Sequence, residues 1–528
     1  MHAQSLVFAP APTGDPVRRM RDAWSQPPPS LPLGAQASTW DKLRGSAPWS
    51  DDGDLYFRVQ AFARAELDEF SVPTSSGTPG PSAKFFGSDG QSRARLDAAI
   101  VADAWQLEHG TPWSIWRARV ALAAARQLDE VGEPGVLSPD LLEGEDRGEG
   151  AFGLEEAWFE HVLTPHDAQT RWSARVGVQP LRSDFRGFVY DDSNLGLLVD
   201  GANDARWSWT LALFDRRDRD TETGLLEVDN SREQLVAVAR VHRDDWIPFV
   251  GERVGYATEF SLHWSADSRD EHVDEDGFPV APPPFGAAQS GDVDSIYLGW
   301  AGEGQLDEHW DISHAVYQVY GSDEANPIAA REVDIDARLA ALELGTTRGP
   351  FRFALSALHA SGDSDANDKK GGGFDAILDA PRFAGAGSSF WARHAWKLVG
   401  TKLKSEWSPL PDLSPSQNEG HQGFVNPGLD LLGASAAWNA DESLRASAGL
   451  SWLSFDQTDS LETLLQLDSM DREIGWELWA GAEWRPTQQW NARLELGASV
   501  LLPGGGIERV FGDDEPLWGV FAALTLGI

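Results

Sequence analysis

Six arginines in the first quarter of the chain invite a chemical reading: Arg58, Arg64, Arg93, Arg95, Arg117 and Arg119. Glu66, Asp97 and Asp103 fall among them, mostly at even separations. On an extended backbone, even separations put side chains on one face. A face of this composition can be a polar wall braced by opposed charges, or a basic track that guides anions. A second cluster, Gly362-Asp363-Ser364-Asp365-Ala366-Asn367-Asp368, sets oxygen donors at alternate positions, as calcium loops do. An EF-hand needs Gly at its sixth position and Glu at its twelfth. Counted from Asp363 these are Asp368 and Phe374, which excludes that motif. A looser Ca2+ site built from Asp363, Asp365, Asn367 and Asp375 is one reading, and a solvated external loop is the other. His309, His314 and His359 are scattered, and no Gly-x-Ser-x-Gly occurs. No nucleophile is marked, so the expectation is a protein that is not an enzyme, with an outer-membrane lipase or protease as a minor alternative.

The elements that would carry these residues are strands. Leu55, Phe57, Val59, Ala61, Ala63, Ala65 and Leu67 share one face, and Tyr56, Arg58, Gln60, Phe62, Arg64 and Glu66 the other. An alternation this long exceeds ordinary globular strands and suits a tilted membrane span. The same pattern recurs near the C-terminus over 429–438, 444–455, 474–484, 490–500 and 518–528. Weaker alternation marks Ala94–Ala104, Trp116–Ala124, Trp207–Leu213, Leu235–Val241, Tyr256–Trp264, Ile312–Tyr320, Val333–Leu344 and Phe351–His359. Links between the last strands run short (439–443), long (456–471), short (486–489) and long (502–516). Outer-membrane barrels alternate short periplasmic turns with long outer loops in this way. If Ile528 ends in the periplasm, both short links are periplasmic, and Trp438, Trp484 and Trp490 flank them as an aromatic girdle. The fold expected is therefore all-β: a transmembrane, antiparallel, up-and-down β-barrel of about 16–18 strands. In the loop 456–471, Leu461–Leu467 reads either as a short helix folding into the mouth or as a capped surface turn.

Composition agrees. The chain has 528 residues, 24 Trp against 6 Tyr, and no Cys. Its mean hydropathy is -0.36, and no apolar run is long enough for a spanning helix. A barrel stays polar on average because only alternate residues meet lipid. The absence of Cys excludes disulfides and thiolate metal sites. A net charge of -40 argues against nucleic-acid partners. Acidic runs such as 267–276 read as solvated loop charge. Residues 1–50, rich in Pro and Ser, are expected to form a partly disordered periplasmic extension with one helix at Pro16–Trp24, and residues 51–528 the barrel. The opening Met1-His2-Ala3-Gln4 resembles the tail of a signal-peptidase site, which suggests a start lying within a longer signal peptide.

Three blocks carry a family likeness: VGVQPLRSDFRGFVYDD at 176–192, GDSDANDKKGGGFDAI at 362–377 and FVNPGLDLL at 424–432. With them the chain resembles the alginate-export type of outer-membrane barrel, or a closely related barrel family. The resemblance implies an eighteen-stranded porin of the bacterial outer membrane that passes an anionic polysaccharide through an arginine-lined pore. The function expected is a porin or exporter for a polar, anionic solute, with outer-membrane lipid around it. A barrel that sheathes or anchors a periplasmic or surface protein partner is the alternative.

Overall fold

The computed structural model describes residues 49, 54–73, 90–108, 114–131, 146–164, 170–203, 206–220, 222–268, 291–398, 401–414, 421–441, 443–486, 492–512 and 514–527. The extension assigned to 1–50, apart from Trp49, lies outside them, as do Trp490, Ile528 and most of the acidic run 267–276.

The strands are β1 (Leu55–Ser71), β2 (Gly90–Leu107), β3 (Ser114–Val131), β4 (Asp146–Val162), β5 (Thr170–Arg182), β6 (Asp191–Asn203), β7 (Trp207–Arg219), β8 (Leu226–Ile247), β9 (Gly251–Asp267), β10 (Val293–Gln305), β11 (Trp310–Asn326), β12 (Arg331–Arg348), β13 (Phe351–Ala360), β14 (Lys370–Gly371), β15 (Trp396–Leu398), β16 (Thr401–Lys404), β17 (Leu429–Asn439), β18 (Leu444–Ser454), β19 (Glu473–Trp484), β20 (Ala492–Pro503) and β21 (Leu517–Gly527). Eighteen of them, β1–β13 and β17–β21, pair antiparallel in chain order, and β21 returns to β1 from Phe62↔Gly527 to Phe70↔Gly519. Every strand of the ring has a hydrogen-bonded neighbour on both sides, so the sheet closes on itself, which is the condition for a sheet to cross a bilayer.

The pleat sorts the residues as the alternation predicts. On β1, Phe62, Arg64, Glu66, Asp68 and Phe70 are buried toward the lumen, while Leu67 points outward with 62% of its surface exposed. Leu96, Ile100, Val176, Leu355 and Leu432 likewise stand exposed on the outer wall. An apolar side chain there gains by meeting lipid rather than water. Every span recognised in the sequence overlaps one of these strands, and most lie wholly within it; 444–455 runs one residue past β18, while 490–500 and 518–528 extend beyond the described ends of β20 and β21.

Connection parity extends round the ring. At one end the links are 108–113, 163–169, 204–206, 248–250, 306–309, 349–350, 440–443 and 485–491. The other end holds the long links 72–89, 132–145, 268–292, 361–428, 455–472 and 504–516, together with 183–190 and two short ones, 220–225 and 327–330. Tryptophans crowd the short-turn end. Trp438 and Trp484 are partly exposed there, Trp172 packs on Trp209 at 4.8 Å, and Tyr56 stacks on Trp105 at 5.5 Å. Trp476 and Trp518, also partly exposed, mark the opposite boundary. Two aromatic levels on an apolar wall set the membrane position.

Candidate functional site in the barrel lumen

The link 361–428 between β13 and β17 runs inward and fills much of the lumen. It carries β14, the helical turn α1 (Phe390–Arg393) and the β15–β16 hairpin. Phe390, Trp391, Trp396, Leu398, Leu403, Leu410 and Leu413 are buried in it and join one core with wall residues such as Tyr297, Tyr317 and Val319. The rings of Trp391 and Trp396 meet at 4.8 Å. This segment therefore has an apolar core of its own, which gives it a defined shape inside a polar lumen.

A second inward segment, the β5–β6 link 183–190, lies beside it. Ile377 N and Leu378 N donate to Val189 O at 3.1 and 3.0 Å, Ala380 N to Gly187 O at 3.1 Å, and Arg382 N to Arg186 O at 3.0 Å. Asp184 accepts from the Phe188 amide at 3.0 Å and from the Tyr317 hydroxyl at 2.7 Å, so this turn is tied to the wall. Together the two segments form a short ladder across the barrel.

Charged side chains anchor the ladder. Glu477 of β19 accepts from Ser389 Oγ at 3.0 Å and from the Trp391 amide at 3.3 Å. Arg393 bonds Asp68 at 2.8 Å and also pairs with Glu66, both on β1, and its guanidinium lies 3.8 Å from the Phe521 ring centre. Tyr297 donates to Asp375 O at 2.8 Å. Hydrogen bonds to buried charges are the strong class, about 1.5–3 kcal/mol each.

The three blocks behind the family likeness turn out to be this assembly. Asn426 is fully buried, donating to Phe374 O at 3.2 Å and Gly423 O at 2.7 Å, and accepting from the Gly428 amide at 2.8 Å. Gly373 lies against it, and a Cβ there would come within 2.5 Å of Asn426 Cγ. Gly428 has φ +62°, the left-handed region, where glycine turns the chain back into β17 at no steric cost.

Within the inward segment, Asp375 and Asp412 are buried near Asp379. Asp375 accepts from the amides of Ala376 at 2.8 Å and Gly423 at 2.6 Å. Burial, reinforced by the Asp412 charge, holds its carboxyl well above the usual carboxylate range. Burial likewise pushes Asp412 up to about 7. Lys404, whose ammonium donates to His394 O at 2.8 Å and Ser405 O at 3.1 Å, is pulled down to about 7 by burial.

Toward the short-turn end lies a cavity of about 110 Å³. Arg64, Arg186, Arg382, Arg393 and Arg445 face it, with Glu343, Glu483 and Glu495 and the backbone of 383–388. Arg64 bonds Glu66 at 2.9 Å and Glu495 at 2.8 Å, and Arg186 reaches Ser313 Oγ at 3.0 Å and Glu303 at 3.3 Å.

All six arginines singled out in the sequence share the inward parity of their strands. Five meet carboxylates: Arg58 and Arg119 share Asp103 at 2.7 and 2.6 Å, Arg64 is paired as above, Arg93 meets Asp129 and Glu406 at 3.2 Å, and Arg95 meets Asp97 at 2.9 Å. Arg117 donates to Ser114 Oγ at 3.0 Å. Only Arg64 borders the cavity. Arg186, Arg382, Arg393 and Arg445 escaped the sequence reading. Three of them sit on inward links with no alternation, although two lie in or near the quoted blocks.

The calcium-type reading does not gather its residues. Asp363 accepts from the Gly372 amide at 3.0 Å and Asp365 from the Asn367 amide at 3.1 Å, while both Asp375 oxygens are taken by amides elsewhere in the segment. Among the described residues these carboxylates form no common donor set. A turn closed by side-chain-to-backbone bonds yields the same spacing without an ion. Leu461–Leu467 overlaps a helix, α2 (Asp459–Leu465), with Leu461 and Leu464 buried, but the lumen is narrowed chiefly by 361–428.

No family model and no curated protein sequence matches the chain. Among solved structures, it is similar to Pseudomonas aeruginosa OccK7 (OpdD), at 9% identity over 89% of this chain and 98% of that one, TM-score 0.49. It is similar to Acinetobacter baumannii OccAB1 at 10% identity over 92% and 99%, TM-score 0.49. A BenF-like porin from Pseudomonas fluorescens Pf-5 matches at 10% identity over 89% and 98%, TM-score 0.47. These matches lend no support to alginate export as such. The closed ring, the apolar outer wall, the two aromatic levels and the end-to-end parity of the links stand on the chain's own residues. The chain is a transmembrane β-barrel of the bacterial outer membrane.

Proposed function

We propose that this barrel is a passive channel for small polar, anionic solutes, with the inward segments 361–428 and 183–190 setting its bore and its charge. The observation that carries the reading is the cavity beneath those segments, where five arginines face three glutamates. A desolvated cluster rich in guanidinium groups recognises carboxylates by paired N–H donors. Nearby carboxylates hold the arginines in place and keep the local field from trapping the anion, since conduction needs binding weak enough for release. A lumen narrowed to a cavity of about 110 Å³ suits a small solute rather than a polysaccharide chain. Arg58, Arg93, Arg95, Arg117 and Arg119 would line the rest of the β1–β3 wall as a charge-braced surface.

The test is reversal potential in planar bilayers under a salt gradient. The reading expects discrete channels that favour anions, and a shift toward cations of at least severalfold in permeability ratio for the Arg382→Gln, Arg445→Gln double variant. Cation preference in the wild type, or an unchanged ratio in the variant, would contradict it. An electrically silent barrel that co-purifies with a protein would favour the scaffold instead.

A further inference from the structure

We propose that His359, Asp430 and Asp456 form a site for a divalent transition-metal ion on the outer rim of the barrel, where the ion clasps the base of the inward segment. His359 and Asp430 are register partners on β13 and β17, with His359 Nδ1 and Asp430 Oδ1 2.8 Å apart. Asp456 follows β18, the next strand round, and one ligand atom from each of the three residues lies within 4.8 Å of the others. All three are half-buried, so the site is formed by the wall yet open to water.

The place is chemically out of keeping with its surroundings. Lower on the same outward face stand Leu355 on β13, Leu432 on β17 and Leu450 on β18, all exposed. Two adjacent strands, β13 and β17, thus change from leucine to metal-ligand types at one level, just beyond the apolar belt, and Asp456 adds a third ligand two residues past the end of β18. One imidazole nitrogen and two carboxylate oxygens, with remaining positions left to water, suit zinc and its neighbours among first-row divalent ions. Calcium wants six to eight oxygens and no imidazole, so it fits poorly. Bound there, the ion would replace the proton that His359 now shares with Asp430.

The topology gives the site a consequence. The inward segment leaves β13 directly after Ala360 and rejoins the wall at Leu429, so His359 and Asp430 stand at its two ends. Asp456 already accepts from the Gly362 amide at 2.8 Å, the second residue of the segment. An ion held by all three ties exit, return and the neighbouring outer loop at one point. That cross-link restricts the segment without touching the lumen.

The experiment uses the full barrel, purified in detergent, stripped with chelator and titrated with zinc alone. Calorimetry and elemental analysis after dialysis should give one ion per barrel. His359→Gln keeps a hydrogen-bonding partner for Asp430 but is a poor metal ligand. It should fold, as judged by gel migration before and after boiling, and lose zinc affinity at least tenfold, as should Asp430→Asn. Cobalt in place of zinc should give visible absorption in the wild type and none in His359→Gln. Zinc should slow hydrogen exchange over 361–375 in the wild type alone. No zinc bound at micromolar free metal, or equal stoichiometry in the wild type and in both variants, would overturn the proposal.

Discussion

At the scale of single residues, Asn426 and Gly428 hold the return of the inward segment. Asn426 spends its amide on two carbonyls and its oxygen on the Gly428 amide, all away from water. Asn426→Ala orphans those groups, which costs about 1–3 kcal/mol for each buried polar group left unpaired. The expected result is a barrel that still closes while its inward segment is cut by protease far faster than in the wild type. Wild-type resistance in Asn426→Ala would count against the assigned role. At Gly428 a Cβ would lie 2.4 Å from Ala360 O, so Gly428→Ala should loosen the same segment through backbone crowding as well as its positive φ. The sequence displayed both residues in FVNPGLDLL, but only the fold reveals that the block closes onto GDSDANDKKGGGFDAI through Asn426 and Gly373.

At the scale of elements, the inward segment should respond to pH in a two-sided way. Asp412 keeps its proton when folded up to about 7, whereas an ordinary Asp loses it near 3.8. Between those values the native state binds more protons than the unfolded one, so the segment's stability falls as pH rises. Asp375 acts in the same sense. Lys404 is depressed from 10.5 to about 7, so above about 7 the unfolded state binds more protons and stability climbs as pH rises. The segment should be least protected near neutrality and better protected near pH 5 and pH 10. Hydrogen exchange over 361–414, corrected for intrinsic chemical rates, reads this directly. Asp412→Asn should make the acid branch shallower without abolishing it, because Asp375 still contributes. Monotonic protection across the range in the wild type would refute the assignment.

The same elements explain what alternation hides. Strands β1–β3 and β17–β21 were legible because one face meets lipid with a row of apolar side chains, while on most of them the other face is polar or charged. In β6 the first four residues, Asp191, Asp192, Ser193 and Asn194, are all buried, because that end packs among inward segments rather than in lipid. In β12 the inward side is Val333, Ile335, Ala337 and Leu339, apolar because the lumen is filled. Contrast between faces then weakens: β6 escapes the sequence reading, and β12 shows only weak alternation over Val333–Leu344. The links 183–190 and 361–428 have no period of either kind, so their inward course and the arginines they present were not legible at all.

At the scale of the whole molecule, eighteen strands closed without an edge should resist detergent until heated. Unboiled protein is expected to migrate faster in SDS gels than boiled protein, and identical migration would speak against a closed ring. The central claim, that the inward segment constricts a conducting lumen, meets its most direct test in single-channel conductance of the wild type beside a barrel in which 376–412 is replaced by a short Gly-Ser linker. Small, discrete, anion-favouring steps are expected from the wild type, with steps several times larger and less selective from the shortened barrel. Equal conductance in the two, or silence in both from barrels shown to be folded, would contradict the account.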